Sequence, residues 1–343
     1  KGGVITASEG NLAAYSTVWL LEAAAYCAVN CYALISGYVG YSDRPKPLRL
    51  ARCIELWLQV VFYSVIITTV YCIAGVGSVG VSDFADAFLP VTSKQYWYFT
   101  AYIGMFFFIP LLNALVRRLN RRALVSLCIM LIAVFSLYDT FASFWKKDPL
   151  ALVGGHSPLW LGVLYIFGAA MKKLRVPESM SSKKALLIYA SAAVFTALFK
   201  ITGDRLLRFV PGSLFVRDTS PTVLLCAAAL LVAFARFKPG RKLTEFAVLF
   251  APAAFGVYLL HVSPLVFEHV IGNRFAFIGR LPFPLIPFAV LASAGVILAV
   301  GLAADKVRIL LFKALGVPKM CREAEKSIRR LWMHVVDAAA NRE

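Results

Sequence analysis

The chain has 343 residues, of which 60% are hydrophobic, with a mean hydropathy of +0.75 and a formal net charge of +18. Soluble domains contain fewer apolar residues and lack unbroken apolar runs of about 20 residues, so these values exclude a soluble fold. The runs do not alternate apolar with polar residues, which excludes a membrane β-barrel. The positive charge does not indicate a nucleic-acid partner, because the basic residues lie in short segments between apolar runs, where they set membrane topology.

The apolar runs predict an all-α, polytopic transmembrane helix bundle with about nine spans. The fifth run is shorter than the roughly 20 residues that a helix needs to cross a bilayer, so it borrows from its flanks or lies broken in the bundle. The predicted spans are residues 17–41, 54–75, 97–116, 122–140, 158–171, 184–201, 221–237, 247–267 and 282–304.

Basic residues divide unequally between the two alternating sets of connecting segments. The set that begins with residues 42–53 carries 17 Lys and Arg, whereas the alternate set carries nine. Because Lys and Arg accumulate on the cytoplasmic side, the first set is predicted to be cytoplasmic. We therefore expect a multi-pass plasma-membrane protein with a cytoplasmic C-terminus and an extracytoplasmic Lys1. An extracytoplasmic start without a signal peptide predicts a further span upstream of Lys1.

The chain is predicted to divide into a transmembrane domain, residues 1–318, and a basic amphipathic tail helix, residues 319–343. In the tail, Ile328 and Leu331 recur at helical spacing, with Lys326 and other basic residues around them. Such a helix is expected to lie on the lipids of the inner leaflet.

Two arginines three residues apart, Arg49 and Arg52, close the segment that follows the first span. At this spacing they share one helical face, and two guanidinium groups at a membrane surface can bind phosphate. The alternative is ordinary basic anchoring of a cytoplasmic helix end. Glu55 lies three residues after Arg52, and we predict that it pairs with Arg52 and orients it.

Three side chains in or beside the spans are further candidates. Glu22 lies within the first span, where a charged group is costly, so it is either functional or the partner of a buried cation. His261 lies deep in the eighth span and is interpreted either as a base or hydrogen-bonding pivot, or as a satisfied core histidine. Trp97 opens the third span, as an interfacial aromatic or as a sugar-stacking group.

Other motifs point to no additional chemistry. The seven cysteines lie mostly in apolar runs without paired spacing, which predicts neither a disulfide framework nor a metal site. The sequence contains no nucleotide-binding loop, nucleophile elbow or Ser-His-Asp order. The Ser36-Gly37 pair, taken alone, indicates close helix packing.

Four segments together resemble acyltransferase family 3, the integral membrane O-acyltransferases that act on surface glycans. They occur in the family's order and cover most of the chain, and their combination is more specific than any one of them. The segments are VNCYALISGYVGY (29–41), RLAR (49–52), QYWYFTAYIGMFFFIPLLNALVRRL (95–119) and FGVYLLHVSPLV (255–266).

The resemblance implies a ten-span helical domain that transfers an acyl group, usually acetyl, from cytoplasmic acyl-CoA to a hydroxyl of an extracytoplasmic or lipid-linked carbohydrate. It implies no bound cofactor, since acetyl-CoA or another acyl-CoA is the donor substrate. It assigns Arg49 and Arg52 to acyl-CoA binding.

The family's catalytic histidine lies in its first span, about eleven residues after a basic residue, and no segment of this sequence matches that span. We therefore expect the base in the additional span upstream of Lys1. Within the chain, His261 is the candidate catalytic residue, which positions the acceptor or assists proton transfer. Asn30 and Ser36 are supporting hydrogen-bonding candidates.

Two other functions stay open. One is a transporter or flippase of a lipid-linked sugar, which would need broken helices that line a pathway. No inverted repeat is obvious in the sequence. The other is an inactive membrane relative of the family.

Overall fold

The computed structural model describes residues 3–206 and 210–340, without the side chains of residues 335–340. Lys1, predicted to be extracytoplasmic, and the last three residues of the predicted tail lie outside the described residues. Within these ranges all regular structure is helical, which confirms the predicted all-α class.

The described part of the chain contains eighteen α-helices, with short 3₁₀- and π-helical segments between some of them. In chain order they are α1 (Gly3–Ser8), α2 (Leu12–Ala25), α3 (Ala28–Gly40), α4 (Leu50–Ala74), α5 (Val81–Phe88), α6 (Trp97–Phe106), α7 (Ile109–Arg118), α8 (Arg121–Ile132), α9 (Asp139–Phe144), α10 (Pro158–Lys173), α11 (Val176–Ser179), α12 (Ser182–Arg205), α13 (Pro221–Ala235), α14 (Arg241–Phe250), α15 (Ala254–Val262), α16 (Pro264–Val266), α17 (Ile286–Ala314) and α18 (Val317–Ala340).

Side-chain caps fix where several of these helices begin. The side-chain oxygens of Asn11, Asn120, Ser157, Ser181 and Ser220 each accept a hydrogen bond from a backbone N–H in the first turn of the following helix. A capped N–H would otherwise be unsatisfied, so these residues favour a helix start at their own position. Proline stands at the start of α10 and of α13, where its missing N–H costs nothing.

Fewer than nine of the described helices are long and apolar enough to cross a membrane. Two predicted spans, the fifth and the seventh, are the helices α10 and α13, with 16 and 15 residues. At 1.5 Å per residue, each is shorter than a hydrocarbon core of about 30 Å. The six helical segments that qualify are Leu12–Gly40, Leu50–Ala74, Arg121–Phe144, Ser182–Arg205, Arg241–Val262 and Phe283–Ala314.

A seventh span results if α6 and α7 cross together. The two helices are bent by 57° at Phe107 and Phe108. Pro110 follows the bend, and because proline cannot donate a backbone hydrogen bond it favours a break at this point. The structure therefore supports a multi-pass bundle of six or seven spans among the described residues, and the count of nine stays a prediction.

Contacts divide the chain into two units. The first comprises residues 1–46, 97–240 and 273–292, and the second comprises residues 47–96, 241–272 and 293–343. The domain boundary predicted between residues 318 and 319 lies in the first turn of α18, within the second unit, and stays a prediction.

In the first unit, α3 and α10 pack backbone to backbone. A Cβ atom added at Gly37 would overlap the carbonyl oxygen of Tyr165, and one added at Gly168 would overlap the carbonyl oxygen of Leu34. Helices approach this closely only where small residues face each other. Gly37 is buried inside a continuous α3, so the close packing predicted for the Ser36-Gly37 pair is confirmed at Gly37.

In the second unit, a buried ion pair joins three helices. Asp305 of α17 is fully buried and accepts hydrogen bonds from Gln59 (2.9 Å) and Tyr63 (2.9 Å) of α4. It also pairs with the guanidinium of Arg308, with Nη2 to Oδ2 at 2.6 Å. On α15, Gly256 makes room, because a Cβ there would overlap the carboxylate. The Asp305 charge is thus balanced and hydrogen-bonded by its neighbours.

The tail helix α18 docks on the start of α4. A carboxylate oxygen of Glu325 accepts a hydrogen bond from the backbone N–H of Ala51 (3.1 Å), and Arg329 donates to the carbonyl oxygen of Leu48. Arg329 and Glu325 also pair with each other, at 2.6 Å. Large apolar side chains are exposed elsewhere on α18, namely Met320, Ile328, Leu331, Trp332 and Met333. The helix therefore presents polar contacts to α4 and an apolar surface to its surroundings.

We expect acid to loosen α18 from α4. Arg329 holds the pKa of Glu325 below its ordinary value. The contribution of ionised Glu325 to the stability of the α18–α4 contact is therefore fully present above the ordinary glutamate pKa of about 4.3. It is lost as the pH falls through the lowered pKa of the folded state. Protection of the α18 amides against hydrogen exchange, corrected for intrinsic rates, should be high at pH 7 and reduced near pH 3.

Glu325→Gln removes the charge and should reduce this protection already at pH 7. The matched control is Glu323→Gln, since Glu323 pairs with Lys326 on the exposed side of the same helix. Protection that responds equally to both substitutions would contradict the assignment to Glu325.

Candidate functional site

The two arginines predicted to bind phosphate stand at the start of α4. Arg49 is the residue before the helix and Arg52 lies in its first turn, and both side chains are exposed. Arg52 Nη1 lies 3.2 Å from Glu55 Oε2, so the pairing predicted from their spacing is present. Among the described residues, the side chain of Arg49 makes no hydrogen bond or ion pair.

The backbone at this point adds to the positive potential. The peptide dipoles place partial positive charge at a helix start. The side chain of Arg49 does not cap α4, and the carboxylate of Glu325 already accepts a hydrogen bond from the Ala51 N–H of this turn. The two exposed guanidinium groups, rather than the backbone N–H groups, therefore favour an anion with several oxygens, such as phosphate.

His261 lies half-buried near the end of α15. Its Nδ1 is 2.7 Å from the carbonyl oxygen of Val257, one turn earlier, and its ring contacts that of Tyr258 edge-on at 6.2 Å. Because a carbonyl oxygen only accepts, Nδ1 must carry the proton of the neutral ring, and Nε2 is the basic nitrogen. The helix ends at Val262, and Ser263 leaves the helical conformation because Pro264 follows it.

Asn30 is a fully buried hydrogen-bonding link in the first unit. Its Nδ2 donates to the carbonyl oxygen of Asp218 (2.7 Å), and its Oδ1 accepts from Trp160 Nε1 (3.1 Å). It ties α3 to α10 and to the segment before α13. Ser36 is engaged in its own helix, where its hydroxyl donates to the carbonyl oxygen of Tyr32 (2.8 Å).

Trp97 and His156 form an aromatic stack in the first unit. Their ring centroids are 3.9 Å apart and their planes differ by 24°. His156 Nε2 lies 3.2 Å from Asp218 Oδ2, a carboxylate with only 4% of its side chain exposed. The carboxylate accepts from Nε2, which leaves Nδ1 of the partly exposed ring as the basic nitrogen. Gly155, with a φ of +112°, lets the loop approach Asp218 closely.

The same loop region is anchored in the apolar helices by a second buried carboxylate. Asp139, at the start of α9, is fully buried and accepts a hydrogen bond from Thr219 Oγ1 (2.7 Å). Ser136 donates to the carbonyl oxygen of Thr219 (2.7 Å), and Arg217 Nη2 lies 3.5 Å from Asp139. These contacts fix residues 217–220 and so hold Asp218 beside Nε2 of His156.

Glu22 lies half-buried on α2. Its side chain forms no hydrogen bond or ion pair with any residue that the structure describes, so no buried cation partners it there. The functional interpretation of Glu22 stays a prediction.

A family model described as an acyltransferase domain matches residues 4–304. The chain belongs to acyltransferase family 3. It is therefore a multi-pass membrane acyltransferase. No curated protein and no solved structure matches it.

The family match includes every residue that the sequence proposed for the site. The structure places these residues in two groups, one in each unit. The first unit holds Glu22, Asn30, Ser36 and Trp97, and the second holds Arg49, Arg52, Glu55 and His261. Helix α18 lies beyond the matched residues. It contacts the backbone of Leu48 and Ala51, which flank Arg49 in the chain.

Sequence reasoning missed the buried carboxylates of this family member. Asp139 interrupts an apolar run, and an acidic residue inside such a run was a usable indication. Asp305 and Arg308 stand three apart directly after the ninth predicted span, a spacing that allows pairing on one face. The ninth predicted span ends at residue 304, so Arg308 was interpreted as a basic residue of the cytoplasmic segment that follows the span. Nothing local indicated that Asp218 would meet His156.

Proposed function

We propose that this acyltransferase moves an acyl group, acetyl in the simplest case, from cytoplasmic acyl-CoA to a hydroxyl of an extracytoplasmic or lipid-linked carbohydrate. Family membership over residues 4–304 supports acyl transfer. The observation that carries the donor half of the proposal is the exposed pair Arg49 and Arg52 at the start of α4.

The donor chemistry suits this pair. Acyl-CoA carries phosphate groups, and guanidinium groups bind phosphate oxygens through paired, charge-assisted hydrogen bonds. Glu55 pairs with Arg52 and restricts its side chain, so Arg52 loses less conformational entropy when it binds the donor phosphate. The excess of basic residues in residues 42–53 and their companion segments predicts that this end of α4 faces the cytoplasm, where acyl-CoA is made.

The reaction requires a nucleophile, a base and a leaving group. The acceptor hydroxyl oxygen attacks the thioester carbonyl and a base takes the hydroxyl proton. The C–S bond then breaks, and the leaving CoA sulfur takes the proton from the base, which gives the ester and the free CoA thiol. Nε2 of His261 is the basic nitrogen that we assign to positioning the acceptor hydroxyl or assisting this proton transfer. In the same proposal the protein resides in the plasma membrane with its C-terminus inside, and α18 rests on the inner leaflet through its exposed apolar side chains.

We expect Arg52→Ala and Arg49→Ala each to raise the KM for acetyl-CoA about tenfold or more. A hydrogen bond to a charged group contributes about 1.5–3 kcal/mol, and about 1.4 kcal/mol corresponds to tenfold. The measurement is transfer of radiolabelled acetyl from acetyl-CoA to carbohydrate by the protein in lipid nanodiscs.

Arg241→Ala is the matched control. Arg241 is likewise an exposed arginine at a helix start, and it pairs with Glu245 at 2.7 Å. It should leave the KM unchanged. Equal effects at positions 49, 52 and 241 would show general electrostatic attraction rather than a donor site.

The bend between α6 and α7 favours the alternative of a sugar transporter, since transporters use broken helices beside their binding sites. The two functions differ in cells that produce Arg52→Ala. Blocked export of a glycan that still carries its acetyl esters would favour transport. An inactive relative would bind acetyl-CoA and transfer nothing.

A further inference from the structure

A cleft of about 470 Å³ opens in the second unit beside the last third of α4. Its walls are α4, the loop and helix that follow it up to Gln95, and the segment from Pro264 to His269. None of the site residues predicted from the sequence lines it. We propose that this cleft binds the carbohydrate acceptor, an assignment that rests on the proposed function.

The polar groups of the cleft suit a ligand with several neutral hydroxyls. Three carboxylates, Asp83, Asp86 and Glu268, line it together with the hydroxyl of Ser93 and the amide of Gln95. A carboxylate accepts hydrogen bonds from hydroxyl groups, whereas it repels phosphate or other anions. The cleft is therefore negatively charged, whereas the arginine pair is positively charged. It favours an uncharged polyol and repels the phosphate groups of the donor.

Two of the carboxylates are available for such a ligand. Asp83 accepts a hydrogen bond from the backbone N–H of Gly80 (2.7 Å) and thereby shapes the loop. The side chains of Asp86 and Glu268 are exposed and form no hydrogen bond or ion pair within the described ranges. In those ranges no three His, Cys, Asp or Glu side chains group around a metal position, so the carboxylates are arranged as separate acceptors.

His269 gives the cleft a basic nitrogen. Its Nδ1 lies 3.1 Å from the carbonyl oxygen of Leu265, so Nδ1 carries the proton of the neutral ring and Nε2 is free to accept. The ring packs on Tyr71 at 5.4 Å, and the turn that carries it, Phe267–Ile271, is π-helical, a form frequent at functional sites. Gly77 has a φ of +75°, and a Cβ atom added there would lie 3.4 Å from Nε2 and Cε1 of the ring.

Helix α4 sets the distance between the cleft and the donor candidates. Thr68, in the wall of the cleft, follows Arg52 by 16 residues, which corresponds to about 24 Å along the helix. The charge pattern predicts that the arginine end is cytoplasmic, so the cleft end is extracytoplasmic. One rigid helix therefore carries the donor candidates at one end and the acceptor cleft near the other, as transfer to an extracytoplasmic glycan requires.

The test compares acceptor kinetics with donor binding in nanodisc protein. Radiolabelled acetyl-CoA is supplied at saturation, and maltotetraose, cellotetraose and chitotetraose serve as acceptor probes. Glu268→Gln and Asp86→Asn should each raise the KM for the accepted sugar about tenfold, because each loses a charge-assisted hydrogen bond. His269→Gln should raise the same KM about fivefold, because it removes the neutral Nε2 acceptor from the wall of the cleft. The affinity for acetyl-CoA, measured by calorimetry, should be unchanged in all three, which also reports that α4 is folded.

Glu245→Gln is the matched control, since Glu245 is an exposed carboxylate of the same unit outside the cleft, and its sugar KM should equal that of the wild type. Wild-type sugar KM and kcat in all three cleft variants would overturn the acceptor site and leave the acyltransferase proposal standing. Loss of calcium-45 binding in the variants with normal sugar kinetics would overturn it in favour of a cation site. If the wild-type protein acetylates none of the three sugars, and the glycan of cells that produce the protein is not acetylated either, the proposed function is overturned and this site with it.

Discussion

Asp305→Asn is expected to lower the free energy of unfolding of the second unit by about 3–5 kcal/mol, because it leaves the buried Arg308 charge without a counter-charge. Arg308 is only 4% exposed, so water does not replace the lost partner. The amide oxygen of asparagine can still accept from Gln59 and Tyr63, but its NH₂ group then replaces the oxygen to which Arg308 Nη2 donates, so that two donors face each other. Reversible denaturation in detergent micelles measures the change.

A double variant separates the charge effect from a packing effect. Asp305→Leu combined with Arg308→Met removes both charges and should recover most of the lost stability, since well-packed apolar pairs often replace buried ion pairs without loss. Glu245→Gln, which breaks an exposed pair with Arg241, should change stability by less than about 1 kcal/mol. A change at Asp305 no larger than that at Glu245 would show that the buried pair does not stabilise the unit.

The second large effect is expected from Gly37→Ala or Gly168→Ala in the first unit, at about 2–3 kcal/mol of destabilisation each. The new methyl group would overlap a backbone carbonyl of the facing helix, and backbone cannot rotate away as a side chain can. α3 and α10 would have to separate, and contacts between Leu34 and Leu164 in the buried core would weaken. Thermal unfolding in nanodiscs is the measurement.

Gly162→Ala in α10 is the control for helix propensity. A Cβ atom there meets nothing within 4 Å, so the substitution should be neutral or should stabilise by up to about 1 kcal/mol. The contrast between positions 162 and 168, on one helix and with one chemical change, isolates the overlap. Similar melting temperatures for both variants would mean that the two helices do not approach as described.

Hydropathy and local spacing account for what the sequence predicted correctly. Lipid leaves backbone groups no partner but each other, so long apolar runs had to be helices. Arg52 and Glu55 pair because residues three apart share a helix face. The Ser36-Gly37 pair indicated close packing because small residues serve that purpose in membranes.

Features that depend on tertiary structure could not be predicted in the same way. Hydropathy predicted residues 97–116 as one span and did not indicate the bend between α6 and α7, which Pro110 accompanies. Asp218 reaches His156 only because Gly154 and Gly155 adopt positive φ, which no periodicity records. Glu268 and Asp86 line one cleft although more than 180 residues separate them in sequence.

The docking of α18 has a consequence for where this enzyme's working unit ends. Arg329 and Glu325 hold the backbone at Leu48 and Ala51, on the two sides of Arg49. Both lie more than 20 residues past the end of the family match at residue 304. The backbone around Arg49, the first of the two arginines proposed to bind the donor, is thus held by a helix that lies outside the matched region. A change in the C-terminal segment of this chain can therefore alter how Arg49 and Arg52 are presented without any change in the arginines themselves.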